Sequence, residues 1–195
     1  MTFDSHVVTS AAIALMERDI AGGPTVLTIR SDVTVPGLTA AEVTGFLSDW
    51  TDAAYQKWWP GVHRHLHPVG AGRSGHVGDE AFMDEFIGKH RLRMTAVVVE
   101  AEPGRKIVWQ MKKGVRLPAW LTIEVTDRAG SVDVRHTITA GWTGPGRLLD
   151  PLLRMYFSAD FIRAMDRHVH TEFPLIGERL HPAAHVIPLE DRSPP

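Results

Sequence analysis

Apolar and polar residues alternate along several stretches of the chain, and this period of two is typical of strands that bury one face. The first stretch is residues 25–35, where apolar positions from Leu27 to Val35 share one side. Gly88-Lys89 and Pro103-Gly104 mark turns between later stretches, so we expect consecutive strands to pair antiparallel. The further predicted strands cover residues 80–87, 91–101, 106–112, 119–125 and 132–140.

Three other segments have the period of a helix. Thr39 and Glu42 form the sequence pattern of a capping box, which predicts a helix start. A second short helix is predicted over residues 52–58. Residues 148–180 predict one long amphipathic helix of roughly 45 Å at ~1.5 Å per residue. It starts either at Asp150-Pro151, a good N-cap followed by Pro at the first helical position, or with an earlier turn near Gly146. Pro174 is expected to kink or break it near its end.

This order of elements predicts an α+β fold. We expect a curved antiparallel sheet wrapped around the long C-terminal helix, with two short helices after the first strand. Residues 1–24 are predicted to form an arm or short helix, residues 25–180 a ligand-binding domain, and residues 181–195 a flexible tail. The space between sheet and helix is the expected place for a small apolar ligand.

Composition narrows the classes of function. The 21 basic and 23 acidic residues nearly cancel, so no nucleic-acid partner is expected, because such a partner needs a basic face. The absence of cysteine excludes disulfides, thiolate metal sites and cysteine nucleophiles, and it fits a cytoplasmic location. No segment approaches the ~18 consecutive apolar residues of a membrane span. No positive charge precedes the mildly apolar residues 7–15, as a signal peptide would require.

Polar residues interrupt the apolar face of the predicted final helix. On a wheel of ~100° per residue, Arg154, Ser158, His168 and Glu172 fall on that face. They either reach water at the open ends of the sheet or anchor the polar end of a ligand. A third interpretation makes His168 and Glu172, four residues apart, a general acid–base pair.

Strand residues extend the candidate pocket. His136 is the odd member of an apolar strand face, and it is either a satisfied core residue or a ligand contact. Trp109 and Met111 are either plain core or pocket lining, and a flexible Met suits an irregular ligand. The candidate ligand-binding residues are Trp109, Met111, His136, Arg154, Phe157, Ser158, Phe161, Met165, His168 and Glu172.

His63, His65 and His67 alternate, so three imidazoles on one strand face would suit a transition metal. Pro68 follows, Arg64 intervenes, and no carboxylate is near in sequence. We therefore predict an exposed strand beside the pocket mouth, and no metal site. A glycine-rich run at residues 70–75 precedes strands rather than a helix, so it is not interpreted as a phosphate loop. No cofactor and no catalytic residue is predicted.

Four segments carry a resemblance to a known family. They are Tyr-Gln-Lys-Trp-Trp-Pro at 55–60, Gly-His-Val-Gly-Asp at 75–79, Glu-Pro-Gly-Arg-Lys-Ile-Val-Trp at 102–109 and Met-Asp-Arg-His-Val at 165–169. With them, residues 25–180 resemble the SRPBCC superfamily of START domains and the birch-pollen allergen, in its polyketide cyclase/dehydrase and lipid transport branch. The resemblance implies the helix-grip fold. Members bind sterols, lipids, polyketides or hormones, and a minority catalyse cyclisation or dehydration. None of the four segments is a catalytic signature.

Three functions follow as hypotheses. The leading one is binding of a hydrophobic or aromatic small molecule, lipid-like or polyketide-like, between the sheet and the last helix. The first alternative is a cofactor-independent cyclase or aromatase. The second alternative is a regulatory or assembly protein that senses a ligand.

Overall fold

The structure, a computed structural model, describes residues 27–69, 76–142 and 144–182, with only the backbone of residues 152 and 154. The predicted N-terminal arm, the glycine-rich run and nearly all of the predicted tail lie outside the described residues. No helix in the described part of the chain has the length and apolar character needed to cross a membrane.

One antiparallel sheet, with seven strands in the described ranges, forms the frame of the fold. The strands are β1 Leu27–Pro36, β2 His63–Pro68, β3 Glu80–Ile87, β4 His90–Glu102, β5 Lys106–Lys113, β6 Val115–Arg128 and β7 Ser131–Ala140. Their spatial order is β1-β7-β6-β5-β4-β3-β2, so consecutive strands pair from β2 to β7 while β1 pairs with β7. The predicted α+β class with a curved sheet is confirmed.

Four α-helices accompany the sheet among the described residues: α1 Ala40–Leu47, α2 Asp52–Trp58, α3 Asp150–Tyr156 and α4 Ala159–Leu180. The capping box predicted at the start of α1 is present. The Thr39 hydroxyl accepts the Glu42 backbone N–H at 3.3 Å, and the Glu42 carboxylate accepts the Thr39 backbone N–H at 2.8 Å. These bonds satisfy donors that the first helical turn leaves unpaired.

Replacing Thr39 by Ala is expected to lower the free energy of unfolding by about 1 kcal/mol, because the helix loses its cap. Thr39→Ser keeps the hydroxyl and is expected to stay close to the wild type. Urea unfolding followed by circular dichroism measures both changes. Equal free energies for the Ala and Ser variants would contradict the capping role.

The predicted single helix over residues 148–180 is wrong. The chain instead forms a 3₁₀ turn at Gly144–Leu149, then α3, then α4. Ser158 is extended at ψ 160° and its hydroxyl accepts the Phe161 backbone N–H at 3.2 Å, so the side chain starts a new helix at that point. Pro174 does not end α4, which continues to Leu180.

The core lies between α4 and the inner face of the sheet. α4 buries its apolar stripe, from Phe161 to Ile176, and packs against β1 and β3. On β7 the buried positions alternate from Val132 to Ala140, and His136 occupies one of them. The period of two therefore places a titratable side chain inside the molecule.

Candidate functional site

A cavity of about 110 Å³ lies between the sheet and α4. Most of its wall is apolar. Representative wall residues are Trp109, Met111, Leu121, Ile123, Ile138 and Phe173. The polar part of the wall consists of Tyr55, Glu85, His136, His168 and Glu172. The cavity thus combines a large apolar surface with several buried polar groups.

The structure places the predicted ligand-binding residues other than Arg154 in three kinds of position: core, helix cap and cavity wall. Phe161 is buried in the core and Phe157 packs against that core half-buried. Ser158 uses its hydroxyl to cap α4, and the side chain of Arg154 lies outside the described residues. The predicted residues that line the cavity are Trp109, Met111, His136, Met165, His168 and Glu172.

Four side chains that we call the buried cluster meet beside this cavity: His63, Glu85, His168 and Glu172. His168 and Glu172 lie one turn apart on α4 and approach each other to 3.6 Å, between Nε2 and Oε2. His63 on β2 brings its Nε2 to 3.3 Å from Glu172 Oε1. Glu85 on β3 brings Oε2 to 3.7 Å from His63 Nε2 and 3.9 Å from His168 Nε2.

The backbone of α2 fixes the tautomer of His63. Its Nδ1 lies 3.3 Å from the Tyr55 carbonyl oxygen, which only accepts, so Nδ1 carries the proton. Nε2 is then a lone-pair nitrogen facing Glu85 and Glu172, and no described residue donates a hydrogen bond to it. The Tyr55 ring stacks on the imidazole with centroids 4.0 Å apart. Burial lowers the pKa of His63 to about 4, so the ring is neutral at pH 7.

Neither carboxyl group of the buried cluster pairs with a Lys or Arg of the described residues. Among the described residues, the ion-pair partners of Glu85 and Glu172 are histidines, whereas neighbouring Asp84 pairs with Arg91 at 2.7 Å. The Tyr55 hydroxyl donates to Glu85 at 2.5 Å. Burial, together with the nearby charge of Glu172, raises the pKa of Glu85 to about 7. Burial also raises the pKa of Glu172.

His136 faces the cavity from β7, and its Nδ1 has no hydrogen-bond partner in the part of the chain that the structure describes. Burial, with a contribution from His168, lowers the pKa of His136 from 6.5 to about 3. The neutral ring is therefore the form that the fold accommodates.

The depressed pKa of His136 predicts a loss of stability in acid. As pH falls, the unfolded chain takes up this proton near pH 6.5 and the folded protein only near pH 3, so the free energy of unfolding decreases through that window. We expect wild type to lose about 1 kcal/mol per pH unit more than His136→Gln there, below the limit of ~1.4 for one proton. Urea unfolding at several pH values measures both profiles, and parallel profiles would contradict the expectation.

The three alternating histidines do not converge. An irregularity in the β2–β3 register between His63 and His65 turns His63 into the interior. His65 and His67 stay half-exposed, and both hold Asp52 of α2 through Nδ1 at 2.9 Å. The prediction that the three histidines share one strand face is therefore wrong for His63. A bulge reverses the side of the sheet that a residue faces.

The sequence did not place Tyr55, His63 or Glu85 among the candidate ligand-binding residues, and it offered His63 only as a possible metal ligand together with His65 and His67. One signal was present for Glu85, which follows Met83 and precedes Ile87 at intervals of two on β3, so it shares their face. The same spacing of two places His136 on the buried face of β7. The bulge that turns His63 inward has no such signal in the spacing of the histidines.

Comparisons with known proteins agree with this architecture. The sequence profile of the family described as "Polyketide cyclase / dehydrase and lipid transport" matches residues 26–170. The chain matches no curated protein sequence at a significant level. The solved KanY protein superposes with a TM-score of 0.55 at 15% identity, covering 81% of this chain and 98% of its own.

Two further solved structures share the fold. Norcoclaurine synthase from Thalictrum flavum, as a point mutant with a transition-state analogue, has a TM-score of 0.52 at 15% identity over 81% of this chain and 98% of its own. A protein from Thermus thermophilus has a TM-score of 0.53 at 16% identity over 81% and 99%. At these identities the likeness shows the helix-grip fold alone. Because the family profile spans most of the sequence, this chain belongs to the polyketide cyclase / dehydrase and lipid transport family of the SRPBCC superfamily.

Proposed function

We propose that the protein binds a small molecule with an apolar body and a hydrogen-bond-donating end in the cavity between the sheet and α4. The observation that carries this proposal is the division of the cavity wall into an apolar surface and a group of acceptors. Small-molecule sites commonly have this composition, in which apolar burial supplies affinity and a few polar groups fix orientation. The cyclase and ligand-sensing alternatives stay predictions.

The polar groups of the wall select the chemistry of the ligand. The carboxyl oxygens of Glu85 and Glu172 are buried and can accept a hydrogen bond, and the Nδ1 of His136 accepts one when the ring proton is on Nε2. A ligand hydroxyl or amine would donate to such a group, whereas a second acceptor would leave both partners unsatisfied. This argues for phenolic, alcoholic or amine ends on an apolar or aromatic body.

The size of the cavity indicates how a larger ligand would enter. A volume of 110 Å³ is small beside the roughly 300–1,000 Å³ of typical ligand sites. A groove of about 280 Å³ adjoins it between α1, α2 and β2. The cavity and the groove share four lining residues, Leu47, Tyr55, Trp58 and Leu66. We infer that displacement of the Leu47 and Leu66 side chains joins the cavity to the groove. The combined volume then falls within the range of typical ligand sites.

Small aromatic probes test the proposal because they match the cavity as it stands. Apolar protein cavities of about 150 Å³ take up benzene. In protein kept free of metal by a chelator, we expect both benzene and phenol to bind saturably. Phenol should bind about tenfold more tightly, since a hydrogen bond worth roughly 1–1.5 kcal/mol is added. NMR titration of backbone amides would report the affinity and the location.

Two leucine substitutions distinguish the cavity from surface adsorption. Ala96 lines the cavity, and Ala96→Leu is expected to fill it and weaken phenol binding at least about tenfold. Ala41 is exposed on α1, and Ala41→Leu adds the same side chain outside the cavity. Its affinity should equal that of the wild type. Undiminished binding by Ala96→Leu, or no saturable binding by the wild type, would overturn the proposal.

A further inference from the structure

The buried cluster has the ligand atoms of a metal site in one place. One atom from each of His63, Glu85, His168 and Glu172 lies within 4.8 Å of each of the others. The four residues come from β2, β3 and α4, and they are 2–9% exposed. Neutral imidazole and carboxylate are common ligands of zinc and related divalent ions.

The spacing of these atoms fits one ion at their centre. Bonds of about 2.0–2.1 Å from a tetrahedral ion place neighbouring ligand atoms about 3.3–3.4 Å apart. The nitrogen–oxygen distances across the buried cluster are 3.3 and 3.6 Å to the two oxygens of Glu172, and 3.7 and 3.9 Å to Oε2 of Glu85. They exceed the tetrahedral spacing by at most about 0.6 Å, so the four side chains already lie close to the arrangement that one ion requires.

Unpartnered lone pairs give an independent reason to expect an ion. The Nε2 atoms of His63 and His168 are both buried and find no hydrogen-bond partner among the described residues. The tautomer set by the Tyr55 carbonyl leaves the His63 Nε2 unable to donate to either carboxylate. Metal-bound histidines usually donate their other ring nitrogen in this way to a carbonyl or carboxylate.

The charge of the buried cluster points to the same conclusion. The two buried carboxyl groups have only histidines as ion-pair partners among the described residues, and no Lys or Arg there pairs with them. Uncompensated buried charge is costly. One divalent cation would neutralise both carboxylates and accept electron pairs from both imidazoles.

We propose that His63, Glu85, His168 and Glu172 bind one divalent transition-metal ion of the zinc class beside the cavity. The mixed nitrogen and oxygen ligands favour zinc, cobalt or nickel over magnesium or calcium, which prefer oxygen alone. Tyr55 supports the site from α2, because its carbonyl orients His63 and its hydroxyl holds Glu85. Trp59 covers His168 with ring centroids 4.7 Å apart. This site does not depend on the proposed organic ligand.

Metal titration of the intact chain, with no organic ligand present, tests the proposal. The chelator-treated protein is titrated calorimetrically with Zn²⁺, and separately with Co²⁺ followed by visible absorption. We expect one tight equivalent of Zn²⁺ and the intense spectrum of tetrahedral Co²⁺. His168→Gln is expected to weaken Zn²⁺ binding at least about 100-fold, since one of four ligands is lost.

The half-exposed trio of Asp52, His65 and His67 provides a matched control. His65→Gln removes an imidazole from β2 outside the buried cluster, so it should leave the tight equivalent unchanged. The proposal would be overturned if His65→Gln lost the tightly bound Zn²⁺ and His168→Gln kept it. If circular dichroism shows that His168→Gln does not fold, the Co²⁺ spectrum of the wild type decides. The weak absorption of octahedral Co²⁺ would then contradict the proposed site. Phenol binding by chelated protein is measured separately, so either proposal can fail alone.

Discussion

Glu172→Gln is expected to make the metal-free protein more stable, raising its free energy of unfolding by about 1–3 kcal/mol. Glu172 is 9% exposed and has only histidines as ion-pair partners among the described residues. A Gln amide at this position would remove a buried charge beside Glu85. It would also donate to the unpartnered Nε2 of His63, which lies 3.3 Å from the present Oε1. Urea unfolding in the presence of a chelator measures the change.

Glu178→Gln is the control for this substitution. Glu178 is exposed on the same helix, so the same chemical change there should leave stability within about 0.5 kcal/mol of the wild type. With zinc at about 1,000 times its dissociation constant, the order should reverse. The wild type would then gain about 4.1 kcal/mol, and Glu172→Gln would gain little. A Glu172→Gln protein that is less stable than the wild type without metal would contradict this account.

Trp58→Ala is expected to give the largest loss of stability, about 3–5 kcal/mol. Trp58 is 5% exposed and contacts the edge of Phe46, with ring centroids 4.9 Å apart. Its indole N–H donates to the backbone carbonyl of Glu172 at 3.0 Å, which joins α2 to α4 at the buried cluster. Removing the indole ring would leave a void between the cavity and the adjoining groove, because Trp58 lines both.

Trp58→Phe separates packing from the hydrogen bond. It keeps most of the ring volume and should cost about 1–2 kcal/mol, because the indole donor is lost. Urea unfolding of both variants, with ΔG extrapolated to water, gives the two values. Equal losses for the Ala and Phe variants would show that the hydrogen bond dominates, against this expectation.

Local patterns explain how much of the fold could be predicted from the sequence. The strands from Glu80 to Ala140 and the cap at Thr39 depend on neighbouring residues, so alternation and the capping pattern identified them. The break before Ala159 was missed because Ser158 fits an amphipathic wheel as well as an N-cap. Only the extended backbone at Ser158 distinguishes the two.

The buried cluster was half visible in the sequence. His168 and Glu172 are four apart on one helix, so their proximity follows from the helical period. Glu85 and His63 meet them only through tertiary contacts, and His63 turns inward only because of the bulge before His65. Spacing along the chain carries no information about such a meeting. The contact of Asp52 with His65 and His67 could not be predicted from spacing either, because Asp52 belongs to α2.

A crystal structure of the metal-free protein soaked with phenol tests most directly whether sheet and α4 enclose a binding cavity. We expect density for one ring between Trp109 and Phe173, with its hydroxyl within hydrogen-bonding distance of Glu85, His136 or Glu172. Density confined to the outer surface, or an unchanged interior at saturating phenol, would contradict the proposed cavity.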